Sequence, residues 1–279
     1  MKNSKLLKEL INSEETLIMP DAYDPISARI IEYLGFKAVQ CSGYSYSIAA
    51  CKKDETDIDY QKNLSITSEI VKSVSIPVMA DGEDGFGGIG QIPDTINSYI
   101  NIGVSGINIE DQVLGKNSNS KIVDSSIMVE KIKIAKKTAK QNGNEFLVIN
   151  GRTDALSSFE SRNEGLKESI KRANLYLEAG ADLVFVTNVK TFEEAKILVN
   201  EIKGPLSIAA GLLYNIRNFS INDLKEIGVA RISLPTIAIT SIIKTLLGTI
   251  ESIKSGNFNY IIEKEILCHS EDLNRLLYK

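Results

Sequence analysis

Three short segments place acids and an arginine directly after apolar runs. VMADGEDGFGG carries Asp81 and Glu83, INIEDQ carries Glu110 and Asp111, and INGRTDA carries Arg152 and Asp154. Carboxylates are the side chains that hold hard divalent cations such as Mg2+ or Mn2+. Asp81 and Glu83 are two residues apart at the end of a strand-like run, a spacing that turns both to the same face. With Glu110 after the next run they form a candidate metal site. Taken singly these are solvated loop acids; their coincidence after neighbouring runs is what points to a metal. Arg152 can grip a carboxylate with a bidentate fork, so it is the candidate anchor of an acidic substrate. Its bland alternative is a salt bridge to Asp154 or Glu110. Ser42, Gly43 and Tyr44 follow a further apolar run, where Gly43 would let backbone N–H groups approach an anion. An SG pair is also a common turn. Asp54, in CKKDETD, reads by itself as a solvated charge.

The rest of the composition narrows the chemistry. His269 is the only histidine among 279 residues and lies in the C-terminal tail. A Ser-His-Asp triad, a histidine-rich metal site and a histidine general base are therefore not expected beside these acids. Carboxylates, Lys, Arg, Tyr, Ser and Asn remain, with a metal. Cys41, Cys51 and Cys268 have no CxxC spacing, which argues against a disulfide framework or a zinc site. A reducing cytoplasm is the simple expectation. The formal net charge is −4 and there is no lysine or arginine block, so nucleic acid is not an expected partner. No run approaches the roughly 20 apolar residues of a membrane span. MKNSKLLKELINSEE has no continuous apolar core and is not expected to be a signal peptide.

The elements that must position these residues can be read from apolar patterning. Eight short, near-continuous apolar runs are expected as strands: 17–19, 38–41, 78–80, 106–109, 147–150, 183–186, 206–209 and 231–234. Continuous runs suit parallel strands buried on both faces. Helical patterns fill the gaps. IPDTINSYINIG sets Ile92, Ile96, Tyr99 and Ile100 on one face, and NEGLKESIKRANLYLEAGAD runs to a stop at Gly180. Regular alternation means α/β. A doubly wound open sheet is the competitor, but eight repeats with polar signatures after many strands favour a closed (β/α)8 TIM barrel, whose strand C-termini meet at one active-site face. The expectation is one barrel domain over 1–279, with an extra N-terminal helix at 5–12 and a C-terminal helical segment from about 256. That last segment, NFNYIIEKEILCHSEDLNRLLYK, has apolar positions that need a partner surface.

LIMPDAYDPISARIIEYLGFKAVQCSGYSYS, VMADGEDGFGG, GINIEDQ and INGRTDAL, in that order, resemble the phosphoenolpyruvate mutase / isocitrate lyase superfamily over roughly residues 15–240. The resemblance implies a Mg2+-dependent barrel enzyme that makes or breaks C–C or P–C bonds of small 2-oxo acids through an enolate. It also implies a homotetramer, or a homodimer, with the last helix exchanged between subunits. Carried over position by position, it places metal ligation on Asp81, Glu83 and Glu110. Substrate binding falls on Ser42, Gly43, Tyr44 and Arg152, and a further family aspartate falls on Asp54. Members usually have a second Asp where this chain has Glu83.

The departures bear on the substrate. Isocitrate and methylisocitrate lyases carry a cysteine and histidine in the loop after the fourth strand; here DQVLGKNSNSKIV has neither. Phosphonopyruvate-forming mutases and phosphonopyruvate hydrolases have a K-x-N-S gating loop, which Lys116, Asn117, Ser118 and Asn119 resemble in permuted form. Gln112 replaces a common lysine, and Thr187 and Asn188 stand where mutases tend to have histidine. The leading expectation is a carbon–carbon lyase or decarboxylase of a small 2-oxo or 2-hydroxy dicarboxylate. The alternatives are a phosphonate mutase or hydrolase, and a non-catalytic metabolite-binding barrel. Tyr44, Lys116 or a carboxylate are candidate bases for a hydroxyl. Asp54 or Asn119 are candidates to receive a phosphoryl group, and residues 115–121 are expected to act as a lid.

Overall fold

The computed structural model describes residues 1–53, 59–113 and 122–277. Eight strands follow in chain order: β1 Leu17–Ala22, β2 Val39–Cys41, β3 Val78–Asp81, β4 Gly106–Glu110, β5 Val148–Thr153, β6 Leu183–Val186, β7 Leu206–Ala209 and β8 Arg231–Leu234. Each pairs in parallel with the next, and β8 returns to β1, so the sheet is a closed barrel. The helices among the described residues are α1 Lys2–Ile11, α2 Pro25–Tyr33, α3 Gly43–Ala49, α4 Tyr60–Ser73, α5 Gly88–Ile102, α6 Ser125–Gln141, α7 Arg162–Glu178, α8 Phe192–Glu201, α9 Ile221–Glu226, α10 Ile237–Lys254, α11 Asn259–Lys264 and α12 Ser270–Leu277. None is long and apolar enough to cross a membrane.

Local chemistry explains the boundaries. Asp24 caps α2 by accepting from Ser27 N, and Pro25 fills the first helical position where no N–H is needed. Thr191 and Glu194 form a reciprocal capping box on α8. Gly103 ends α5 in the left-handed conformation at φ 92°. Four strands, β1, β3, β4 and β5, run further toward their C-terminal ends than the apolar runs alone predict. Asp21, Asp81, Glu110 and Arg152 lie inside strands rather than just past them. The reason is pairing: Asp21 opposes Gln40, Asp81 opposes Asn108, and Glu110 opposes Arg152, so the backbone stays in the ladder to the barrel mouth.

The barrel interior is layered. At its base, Leu7 and Ile11 of α1 pack with Met19, Met79, Val148 and Leu183 as an apolar plug. Above it comes a polar layer with Gln40, Asn108, Asn150, Ser207, Arg231 and Ser233, all buried. The acids and Arg152 crown it. Outside, the main core fills the space between strands and helices, with Ile96, Ile107, Ile132, Val184 and Leu198 fully buried.

Adjacent acids at the end of β4 part company, as strand alternation requires. Glu110 belongs to the mouth, whereas Asp111 belongs to the helix layer. There its Oδ2 accepts from Arg172 Nη1 at 3.0 Å and from the Tyr176 hydroxyl at 2.7 Å, both on α7. Its Oδ1 accepts from Asp154 N at 2.9 Å. Asp111 thus ties β4, the end of β5 and α7 together. Arg172→Ala leaves this carboxylate buried without its cation and is expected to cost about 3–5 kcal/mol of unfolding free energy. Tyr176→Phe is expected to cost about 1–2 kcal/mol. Urea denaturation of the two variants measures both, and losses below about 1 kcal/mol for Arg172→Ala contradict this role.

Candidate active site

Asp81 closes β3, Glu110 closes β4, and Glu83 lies one residue beyond Gly82. All three carboxylates are buried, and one ligand oxygen from each lies within 4.8 Å of the others. Glu83 reaches this position with φ +48°, the left-handed region that a non-glycine residue adopts at a cost. Its loop is held from behind. Buried Lys131 on α6 donates to the Asp84 carbonyl at 2.6 Å. Burial lowers the Lys131 pKa, against the pull of Asp84, Glu110 and Asp111. Gly43 N donates to Asp81 Oδ2 at 3.0 Å. A Cβ at Gly43 would overlap the Glu83 carboxylate, so the absence of a side chain there is what admits the longer acid.

The donor set fits a divalent cation. Three carboxylate oxygens are ligands for a hard ion, and Asp81 Oδ1 is buried with no hydrogen-bond donor among the described residues. At an effective dielectric constant of about 20, charges at this spacing repel by roughly 3 kcal/mol per pair, which a cation between them reverses.

Arg152 stands beside the triad with most of its fork engaged. Nε and Nη2 grip Asp154 at 2.9 and 3.1 Å, Nη2 also donates to Gln112 Oε1 at 3.1 Å, and Nη1 pairs with Glu110 at 2.6 Å. Both salt bridges named as the bland alternative are therefore present. Every guanidinium nitrogen thus has a protein partner, and the second N–H of Nη1, beside the one paired with Glu110, is the donor left for a ligand. Burial alone would lower the guanidinium pKa, but Asp154 and Glu110 outweigh it and the pKa is raised. Asp154 is held in turn by Thr187 Oγ1 at 2.8 Å.

The remaining expected residues fall as follows. Ser42 caps α3 by accepting from Ser45 N, Gly43 spends its N–H on Asp81, and half-exposed Tyr44 lines the cavity. The N–H expected to meet an external anion is thus taken by a carboxylate of the protein. Asp54, Lys116, Asn119 and the 115–121 segment lie outside the described residues. Cys41 lines the cavity, but burial pushes its thiol up to about 12, so it is no thiolate at neutral pH. The cavity measures about 390 Å3; Phe185, Leu212, Tyr214 and Pro235 are among its apolar and aromatic lining, and Gln40, Asn108 and Ser233 among its polar lining.

The family profile described as phosphoenolpyruvate phosphomutase matches residues 7–254. The chain belongs to this family. It is 31% identical to a 2-methylisocitrate lyase of Halalkalibacterium halodurans, covering 79% of this chain and 70% of that protein. It is also 31% identical to a 2,3-dimethylmalate lyase of Eubacterium barkeri, covering 73% and 70%. A solved structure of a 2,3-dimethylmalate lyase superposes with a TM-score of 0.85 at 26% identity, covering 98% of this chain and 94% of that one. A phosphonopyruvate hydrolase solved with oxalate and Mg2+ shares the fold, with a TM-score of 0.86 at 23% identity over 99% and 95% of the two chains. Relatives named lyases and mutases make this chain an enzyme of the phosphoenolpyruvate mutase / isocitrate lyase superfamily.

Sequence reasoning missed Asp21. It is buried at the mouth end of β1, accepting from Ser45 Oγ and from Thr236 N at 3.0 Å. The strand-end rule that found Asp81 and Glu110 applies equally to PDA after the first run. Burial pushes the Asp21 carboxyl up to about 7 from 3.8; Ser45 and Thr236 oppose the rise, and Asp81 adds to it. A raised acid binds its proton more tightly in the folded state. Its stabilising contribution is full below about 3.8 and is lost as pH rises through about 7. Asp21→Asn stays neutral throughout. Between pH 5 and pH 8, in chelator, its urea-denaturation stability is expected to fall less than that of the wild type. A difference between the two proteins that is the same at both pH values contradicts this.

Proposed function

We propose that this enzyme is a Mg2+-dependent carbon–carbon lyase or decarboxylase of a small 2-oxo or 2-hydroxy dicarboxylate, working through an enolate. The observation that carries the reading is the acidic triad with Arg152 beside it in a cavity of about 390 Å3, roomy enough for a small acid. The names of the 31%-identical relatives, lyases of 2-methylisocitrate and 2,3-dimethylmalate, support carbon–carbon cleavage.

When bound, Mg2+ supplies a Lewis acid for the oxygens of a 2-oxo acid. The chain's residues supply the rest. Asp81, Glu83 and Glu110 are the proposed ligands. Asp154, Gln112 and Glu110 fix the plane of the Arg152 guanidinium, so the one N–H of Nη1 that Glu110 leaves is the proposed donor to the substrate carboxylate. Ser42, Gly43 and Tyr44 border the other side, with Gly43 keeping Asp81 oriented through its N–H. Phe185, Leu212 and Pro235 contribute apolar lining to the cavity. Cleavage leaves an electron pair that delocalises onto the 2-oxo oxygen, and loss of CO2 needs only that delocalisation and a later proton. Aldol-type cleavage also needs a base for a hydroxyl, a role proposed for Tyr44 or Lys116. The phosphonate alternative, with Asp54 or Asn119 receiving a phosphoryl group, is less well served. Arg152 is the only cationic side chain among the described cavity-lining residues, and Glu110 and Asp154 already share it.

Oxaloacetate is expected to lose CO2 above the metal-only background in a Mg2+ panel followed by carbon and phosphorus NMR. Asp81→Ala is expected to return that rate to background with the fold retained. Isocitrate and methylisocitrate are expected to be cleaved slowly or not at all, because the loop after β4 has no cysteine. Conversion of phosphonopyruvate with oxaloacetate inert would transfer the assignment to the phosphonate class.

We also propose a cytoplasmic homo-oligomer, a homotetramer or homodimer joined through the C-terminal helices. Ile242, Leu246, Leu247, Ile250 and Ile253 leave an apolar stripe exposed on α10 of the single chain. In that chain α12 rests on its own α2, with Arg29 donating to the carbonyls of Leu276 and Leu277 at 2.8 and 3.1 Å. Light scattering is expected to give a multiple of 30.7 kDa, and Leu246→Glu with Ile250→Glu to give the monomer mass. A wild-type monomer contradicts the proposal.

A further inference from the structure

Arg231 opens β8 and is completely buried. No carboxylate lies within ion-pair distance of it among the described residues. Its Nη2 donates instead to Gln40 Oε1 at 2.5 Å and its Nη1 faces Met79 Sδ at 2.9 Å, with the Phe185 ring centre 5.7 Å from Cζ. In the amide orientation of Asn150 that satisfies its neighbours, the Asn150 oxygen also accepts from Nη1 at 2.9 Å. A buried cation without a counter-ion is expensive, and a core position at the start of a strand would be filled more cheaply by an apolar residue. Burial pushes the guanidinium down to about 9 and Asp81 is the charge that opposes the fall, so Arg231 is charged at neutral pH.

We propose that Arg231 is a positioning residue with two effects: its charge is a permanent counter-charge beneath the acidic triad, and its fork fixes the donor direction of the cavity's polar side. The inference rests on reading Asp81, Glu83 and Glu110 as cation ligands.

The charge argument is direct. Asp21, Asp81, Glu83, Glu110 and Asp154 gather at the mouth, and Arg152 is the cation among them. An anionic substrate must enter that field along with the metal. A fixed positive charge below the acids weakens the hold on a cation and strengthens the hold on an anion. The fork argument follows from chemistry. Arginine offers donors only. Gln40 must therefore turn its oxygen inward to Arg231, and its Nε2 then donates to Ser233 Oγ at 2.8 Å. The Ser233 hydroxyl is left to donate its own hydrogen, and both residues line the cavity. That side of the site is thereby set to offer N–H and O–H to an oxyanion.

The test measures two ligands on the purified full chain: Mn2+ alone, by electron paramagnetic resonance, and oxalate in saturating Mg2+, by calorimetry. Arg231→Met is expected to tighten Mn2+ by about tenfold and to weaken oxalate by about tenfold, opposite shifts that follow from removing one charge. A merely structural role weakens both. Arg231→Lys keeps the charge and loses the fork, so Mn2+ affinity is expected to stay near wild type while oxalate still weakens. A lysine variant that tightens Mn2+ as methionine does overturns the charge role. If Arg231→Met does not fold, Gln40→Glu cancels the charge across the same contact and is expected to give the same opposite shifts. Both affinities falling together, or neither moving, overturns the inference. Wild-type protein that binds no Mn2+ overturns the reading of the triad, and this inference with it.

Discussion

Like charges forced together in a buried place are the constraint around which this barrel is arranged. Carboxylates from β3, β4 and the loop between β3 and α5 converge within 4.8 Å, out of water, where each repels the others. The chain manages this with separate devices. Gly43 N–H points at Asp81, Arg152 leans on Glu110, and Lys131 grips the carbonyl beside the strained Glu83. Each device comes from a different element, so the mouth is stable only when the barrel has closed. Closure and site formation are in this sense one event.

Most of the fold was legible because buried parallel strands leave a plain trace. Eight apolar runs became eight strands, and the acids at their ends became one cluster. What was not legible was the interior of the barrel. Gln40, Asn108, Asn150, Ser207 and Ser233 interrupt apolar runs at single positions, and a single polar residue in a strand carries no address on its own. Their meaning appears only when neighbouring strands bring them to one level, as Gln40 meets Ser233 and Arg231. Arg231 was likewise hidden, since a charged residue at the start of a strand looks like a surface residue until the strand is placed in a closed sheet. Arg152 shows a different limit. Its type and position were visible, but not the share of its fork that Asp154 and Gln112 already claim.

The two neighbours Glu110 and Asp111 show how one dipeptide serves two tasks. Alternation along β4 sends the first to the mouth and the second to Arg172 and Tyr176 on α7. Asp111 also accepts from Asp154 N, and Asp154 holds Arg152. A framework contact outside the barrel therefore fixes the guanidinium inside it, and the chemistry inherits its geometry from packing several side chains away.

The fit of Gly43 against Glu83 also couples two positions that are distant in the chain. The space that a methyl group would need at position 43 is filled by the end of the longer acid. An alanine there obliges the Glu83 carboxylate to move from its place in the triad, whereas Glu83→Asp withdraws the carboxylate by one methylene. Substitutions at the two sites are therefore not independent, and what residue 43 can be depends on the length of the acid at 83.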